Sequence, residues 1–211
     1  MDTTPSRTTI DLPAPSPGIA SLDRVLAIRR SIRQLIDDPL SDAEISHLLW
    51  SMQGITPAGN RTSPSAGATY PIELYVLTAD GVFRYLPTIH SLEVVSPQDA
   101  RPTLHREAAG QDAVRDAAAI FVITGVFERT AVKYGERSVR YVHIEVGHVA
   151  QNLMLEATAL GLGTVPVGSF DDDAVSRVLA LPSDHVPLYI FPVGHPPTEA
   201  LRAKTVLKQS K

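Results

Sequence analysis

Two segments of this chain carry residue types at spacings that suit ligand binding. Arg29-Arg30-Ser31-Ile32-Arg33 places three cations and a hydroxyl within five residues. The planar arginine fork matches phosphate oxygens in pairs. About thirty positions later, Ser63-Pro64-Ser65-Ala66-Gly67-Ala68 is a run of small residues whose backbone can come close to a flat ligand. A phosphate needs positive charge and N–H donors, and a planar ring needs a wall without bulky side chains. The pair fits a single ligand that carries both, such as flavin mononucleotide (FMN).

Each segment also has a plainer reading. Arginines at the end of a short helix complement its dipole, and a small polar run is an ordinary loop. Three further groups invite chemistry. Lys133-Tyr134 lies in a polar bend between two helices; it reads as a surface pair, or as a proton donor and acceptor if the lysine is desolvated. His143, Glu145 and His148 share one helix, but their spacing is not that of a helical zinc site. A zinc deaminase would need cysteines, and the chain has none. They read as core or interface polar residues, and no metal is expected. Gly161 to Phe170 is glycine-rich but lacks a dinucleotide fingerprint. Pro166 stands where the last glycine belongs, and the glycines follow a helix instead of a strand. What remains is a helix C-cap at Gly161 and a turn at Gly168-Ser169 whose amides suit a ligand atom.

Several elements must position these groups. Residues 1–20, with Pro5, Pro13, Pro15 and Pro17, read as an extended arm. A short helix follows from Ser21 to Ile28. Ser41-Asp42-Ala43-Glu44 is a capping box ahead of Ile45, Leu48, Leu49 and Met52 at helical spacing, with Gln53-Gly54 as the stop. Strands are predicted over 73–78, 82–86 and 92–95, the first two joined as a hairpin through Ala79-Asp80-Gly81. Modest helices are predicted over 98–108 and 111–117, then a buried strand over 119–124. The longest helix is predicted from Val139 to Leu160, where Val142, Val146, Val149, Leu153 and Ala157 form an apolar stripe. A short strand at 164–167, a helix over 172–180 capped by Asp171 and a strand over 186–193 complete the order. The tail 201–211 is basic. The pattern is α+β, with one domain over 21–200.

Composition narrows the function classes. The 211 residues include no cysteine, which excludes disulfides and thiolate catalysis and suits a cytoplasmic location. A net charge of -4 and an aromatic share of 6% give no electrostatic or stacking basis for nucleic-acid binding. No run approaches the ~20 apolar residues that span a bilayer, so neither nucleic acid nor membrane is an expected partner.

In combination, these motifs resemble the nitroreductase family, and within it the branch of SagB-type dehydrogenases that includes thiazole and oxazole peptide oxidases. The resemblance runs from about Ile10 to Pro197. It is carried by Arg29 to Arg33, by Pro64-Ser65-Ala66-Gly67-Ala68-Thr69-Tyr70-Pro71, by Lys133-Tyr134, by Tyr141 through Leu153, and by Val193-Gly194-His195-Pro196. It implies a homodimer with FMN between the subunits. It also implies a mostly antiparallel sheet of four or five strands flanked by helices, with a long helix in the dimer core.

On the same resemblance, Arg29, Arg30, Ser31 and Arg33 hold the phosphate, with Arg202 or Lys204 adding a contact. Pro64, Ser65, Ala66 and Gly67 line the ring, and Gly168 and Ser169 direct amides at the flavin N5 side. Lys133 and Tyr134 match a pair associated with proton transfer in azoline oxidation. The implied partners are a small flat acceptor of nitro, quinone or enone type and NAD(P)H. An azoline or peptide dehydrogenase ranks second, because those oxidases are longer. A flavin-binding protein without turnover ranks third.

Overall fold

The computed structural model describes residues 8–197 apart from 17, 19 and 37, together with all but the side chain of Ala108. Arg202 and Lys204 lie outside the described residues. The centre of the molecule is β5 (Ala119–Gly125), every residue of which is buried. Its alternation serves two cores. Ala119, Phe121 and Ile123 point into one cluster, and Ile120 and Val122 into the other. The unbroken apolar run in the sequence therefore has a simple cause: this strand has no solvent face.

Around β5 the strands β1 (Thr9–Asp11), β2 (Ile72–Thr78), β3 (Gly81–Leu86), β4 (Ser91–Ser96), β6 (Gly163–Thr164) and β7 (Val186–Gly194) form one antiparallel sheet in the order β1-β4-β3-β2-β5-β7-β6. The five central strands match the size expected; of the two short edge strands, β6 overlaps the strand predicted over 164–167, and β1 was not foreseen. Phe121 stands opposite Val76 on β2 and Phe191 on β7.

One face is covered by α2 (Asp42–Gln53) and α6 (Ser138–Ala159), which contribute Ile45, Leu48, Leu49, Met52, Val142, Val146, Val149 and Leu153. The other face is covered by α3 (Arg101–Leu104), α4 (Asp112–Arg115) and α7 (Asp172–Val178) through Leu104, Val114 and Val175. The capping box forms as predicted: the Ser41 amide donates to Glu44 Oε2 at 2.8 Å, and the Glu44 amide to Ser41 Oγ at 3.3 Å. Asp171 caps α7 through the Ala174 amide at 2.7 Å. At 22 residues α6 is about 33 Å long. It stops where Gly161 adopts φ +78 and the Leu162 amide turns back to Ala157 O at 2.7 Å.

Three local readings need correction. The stretch read as a free arm is partly docked. Thr9–Asp11 pair with β4, Leu12 packs on the core, and Ser46 and His90 both reach Pro13 O. The helix expected over 98–108 starts only at Arg101. It widens into a π-type turn over His105–Ala109 that ends on Gly110 at φ +58. Lys133 and Tyr134 are not in a bend between helices: they are the last two residues of α5 (Phe127–Tyr134). Among the described residues, no helix is long and apolar enough to cross a membrane.

Candidate active site

The small-residue loop is nailed to the helices beneath it. Ser63 Oγ donates to Met52 O at 2.7 Å, and Thr62 Oγ1 to Trp50 O at 2.9 Å, both near the C-terminus of α2. Asn152 on α6 ties the same loop down with one amide nitrogen. It donates to Ser51 O at 2.9 Å, to Ser63 Oγ at 3.0 Å and more weakly to Thr62 O at 3.4 Å. From there the chain makes one tight turn over Ala66–Ala68. Gly67, Ala68 and Tyr70 have φ of 59°, 54° and 45°. Two of these are not glycine, so the loop stores strain of order 1–3 kcal/mol per residue that its anchors must offset. Ser65 Oγ supplies one anchor by accepting the Tyr70 amide at 2.9 Å.

Lys133 and Tyr134 close over this loop. A Cβ on Gly67 would lie 2.5 Å from Tyr134 Oη and 2.6 Å from Lys133 Nζ. Nζ donates weakly to Gly67 O at 3.5 Å and stands 5.6 Å from the Tyr134 ring centroid. The Tyr134 ring meets Tyr141 of α6 edge-on, at 5.0 Å between centroids. Lys133, Tyr134 and the loop Pro64-Ser65-Ala66-Gly67 thus form one constellation within a single chain. A side chain at Gly67 would push aside the ends of Lys133 and Tyr134, and the φ of 59° there favours glycine on its own. Lys133 is exposed, so the desolvated lysine that the sequence reading invoked is absent from the single chain.

The cationic segment is held elsewhere. The Ile32 amide donates to Thr164 O at 2.8 Å, and the Ile36 amide to His195 O at 2.9 Å, which fixes 31–36 against β6 and the end of β7. Ile32 and Leu35 pack where any side chain on Gly163 would stand. Arg29, Ser31 and Arg33 make no side-chain hydrogen bond or ion pair among the described residues. Arg33 lines a cleft of about 830 Å³. Arg30 behaves differently: its Nη1 folds back onto Arg29 O at 2.6 Å and Ala27 O, at the end of α1 (Leu22–Ile28). For Arg30 the plain helix-end reading describes what the side chain does. Close by, the Thr164 hydroxyl is buried without a partner. Gly168 and Ser169 are exposed, just after Val167, whose backbone bonds to Ile190 in both directions at 2.8 and 3.0 Å.

The residue with the most perturbed chemistry lies under the loop. Glu145 of α6 is 2% exposed. Burial pushes its carboxyl up to about 7, against the smaller opposing effects of Ser65, Gln53 and Arg61. Glu145 Oε1 and both amide atoms of Gln53, itself 1% exposed, lack a well-formed hydrogen bond. Arg61 sits at the rim, with Nη1 donating to Gln53 O at 3.0 Å and its guanidinium 5.1 Å from the Tyr70 ring centroid. Gln53 and Arg61 were not singled out from sequence. The available signal was Glu145 itself, a carboxyl next to Val146 and one turn from Val142 and Val149 on the apolar stripe.

The sequence profile described as the nitroreductase family matches residues 26–195. The chain belongs to the nitroreductase family. It is 41% identical to the nitroreductase-type protein MJ1384 of Methanocaldococcus jannaschii over 88% of this chain and 96% of that one. Its fold is similar to that of a nitroreductase-type protein from Ralstonia eutropha JMP134, with a TM-score of 0.81, 26% identity and 90% of each chain covered. It is also 29% identical to the microcin B17-processing protein McbC of Escherichia coli, over 57% of this chain and 48% of that protein. The chain therefore spans about half of McbC. Membership makes this nitroreductase-family chain an oxidoreductase, built on the open antiparallel sheet and long helix described above.

Glu145 sets a pH dependence of stability. In the unfolded chain its carboxyl titrates near the ordinary value of about 4.3, and in the fold near 7. Between those values the folded protein holds a proton that the unfolded chain has released. Stability therefore falls as pH rises through this window and levels off above about 7. Glu145→Gln removes the titration. Relative to the native chain it should gain about 1–3 kcal/mol between pH 5 and pH 8, measured by urea unfolding at both pH values. Parallel pH profiles for the two proteins would contradict this assignment.

Proposed function

We propose that this protein is an FMN-dependent oxidoreductase that works as a homodimer, reducing a flat nitro, quinone or enone compound at the expense of NAD(P)H. One observation carries the reading. The two segments we read as halves of a cofactor cradle stand on different supports. Arg29, Ser31 and Arg33, without a side-chain partner among the described residues, are held on β6 and β7, while Pro64 to Gly67 are held on α2, α5 and α6. Among the described residues no hydrogen bond links the two. A second copy would supply the wall for the first copy's anion site, and the reverse.

The residues present fit the group. Unpaired guanidinium and hydroxyl groups beside the orphaned Thr164 hydroxyl suit a phosphate. The half-buried Ser65 and Ala66 and the exposed Gly67 offer a side-chain-poor surface for a ring. FMN, when bound, supplies two-electron hydride chemistry at its N5 between a nicotinamide donor and an acceptor. Arg29, Ser31 and Arg33 would bind its phosphate, the Pro64–Gly67 wall would orient it, and the amides of Gly168 and Ser169 would face its reactive edge. Dimerisation has its own support. Val139 and Ile144 on α6, Val132 on α5 and Leu22 and Leu26 on α1 are large apolar side chains exposed in the single chain. Covering them with a second copy would also desolvate the neighbourhood of Lys133.

A second reading, an azoline-type peptide dehydrogenase, is favoured by the similarity to McbC and by the seating of Lys133 and Tyr134 on Gly67. In that chemistry the pair would take and deliver the proton that accompanies hydride removal from a C–N ring.

Three measurements test these readings. Sedimentation should give a species near twice 22.8 kDa, and a purely monomeric profile would refute the shared site. Titration with FMN should yield a yellow complex. Arg33→Ala should weaken that complex by about 1–3 kcal/mol, the range for losing a charge-assisted bond, and an unchanged dissociation constant removes Arg33 from the site. Lys133→Ala and Tyr134→Ala should leave quinone reduction within a few-fold of native. Abolished turnover of an azoline with FMN retained would move the second reading to first place.

A further inference from the structure

Three polar atoms are stranded in one buried place, between the end of α2, the middle of α6 and the strained loop: Glu145 Oε1 and both amide atoms of Gln53. Buried polar atoms ordinarily find partners, so three orphans together need a reason. A carboxyl group has two forms with opposite demands. The ion only accepts hydrogen bonds, and the acid also donates one. A primary amide offers a donor and an acceptor and can meet either form by turning over. The orphans are the atoms that a second protonation state of the cluster would use.

We propose that Glu145 is a positioning residue that latches the Ser65–Tyr70 loop according to whether its carboxyl carries a proton. As the ion it takes the Ser65 hydroxyl hydrogen and the Gln53 Nε2 donor. The Ser65 oxygen is then left as a pure acceptor for the Tyr70 amide, at 2.9 Å, and holds the residue whose φ is +45°. Two bonds through one hydroxyl strengthen each other. As the acid, Glu145 donates to Gln53 Oε1 and releases the Ser65 hydroxyl; the Ser65 oxygen still accepts the Tyr70 amide, but without the second bond that polarises it, so the brace on the strained turn weakens.

Burial tunes the carboxyl to about 7, so the exchange falls in the physiological range. The charged and titratable groups around the cluster are Arg61 from the loop after α2, Tyr70, Tyr85 and Glu73 near that guanidinium (Glu73, on β2, is paired with Arg129 at 2.6 Å), and Lys133 and Tyr134 of α5 across the loop at Gly67. On α6 itself, Tyr141 lies one turn before Glu145. Of these, Arg61 acts on the carboxyl and favours the ion. Gln53 couples the two sides, because its backbone carbonyl receives Arg61 while its side chain faces the carboxyl. The consequence for ligand binding rests on the flavin reading above: if Ser65 to Gly67 wall the ring, the wall is firm above neutrality and loose below it.

The latch is tested first without flavin. In the flavin-free protein the Tyr70 amide resonance should shift between pH 5.5 and 8.5 with a midpoint near 7, together with the Glu145 side-chain carboxyl carbon. Glu145→Gln should leave the Tyr70 amide flat across that range. Ser65→Ala should do the same while the carboxyl carbon still titrates, so it carries the test even if Glu145→Gln fails to fold. A Tyr70 amide that is flat in the native chain, or that titrates equally in Glu145→Gln, overturns the latch.

FMN itself is then titrated across the same range. Its dissociation constant should be about 2- to 10-fold lower at pH 8.5 than at pH 5.5, the equivalent of one hydrogen bond, and independent of pH in Glu145→Gln. A flat native FMN profile beside a titrating Tyr70 overturns the link to the ring wall. No FMN binding at any pH beside a titrating Tyr70 leaves the latch standing and removes the flavin reading instead.

Discussion

One helix face has to satisfy both the sheet and the site. Val142, Val146, Val149 and Leu153 of α6 lie against the sheet side of the molecule, and each is at most 6% exposed. Glu145 and Asn152 interrupt the same stripe. Asn152 satisfies its amide on three acceptors, so its burial costs little and fixes the loop above it. Glu145 lacks such a solution, and the fold accommodates it by favouring the acid. The site loop inherits its position from the first residue and its sensitivity to protons from the second. The remaining features described here, including the strain at Ala68 and Tyr70 and the seating of Lys133 on Gly67, depend on that loop staying where α6 puts it.

The single chain divides its chemistry between two supports. The cations at 29–33 ride on the edge of the sheet, where β6 and β7 hold the Ile32 and Ile36 amides. The small-residue loop rides on the helices. A ligand with one anionic end and one flat end would draw on both. Large apolar side chains of α1, α5 and α6, Leu22, Leu26, Val132, Val139 and Ile144, are exposed in the single chain. Relatives in the nitroreductase family range from chains of nearly equal length, such as MJ1384, to McbC, of which this chain spans about half. The match to MJ1384 takes in 88% of this chain and the match to McbC 57%.

Much of this was legible in residue order. The capping box at Ser41, the stop at Gly161, the cap at Asp171 and the hairpin at Ala79-Asp80-Gly81 are local events, decided by side chains within a few positions of the backbone groups they satisfy. The strand β5 was legible because burial on both faces leaves an unbroken apolar run. Errors came where distant partners decide. Thr9–Asp11 have no strand signal strong enough to stand alone and become a strand only because β4 presents an open edge. The helix expected over 98–108 starts late, at Arg101 with Pro102 in its first turn, and runs on as a π-type turn to Ala109 before Gly110 ends it. Lys133-Tyr134 was read as a bend because a helix that ends at a glycine of φ +55 resembles a turn in sequence.

Residue types and their spacing were enough to nominate an anion site, a side-chain-poor wall and a proton-transfer pair, because those properties belong to the residues themselves. Contact was another matter. That Gly67 lies under Lys133 and Tyr134, that Arg30 turns back on its own helix while Arg29 and Arg33 find no partner among the described residues, and that Glu145 is sealed beside Gln53 with its proton affinity raised were settled by packing alone. The contacts at Gly67 and Glu145 depend on segments 66 and 92 residues apart meeting in space, and a linear pattern holds no record of which ones do.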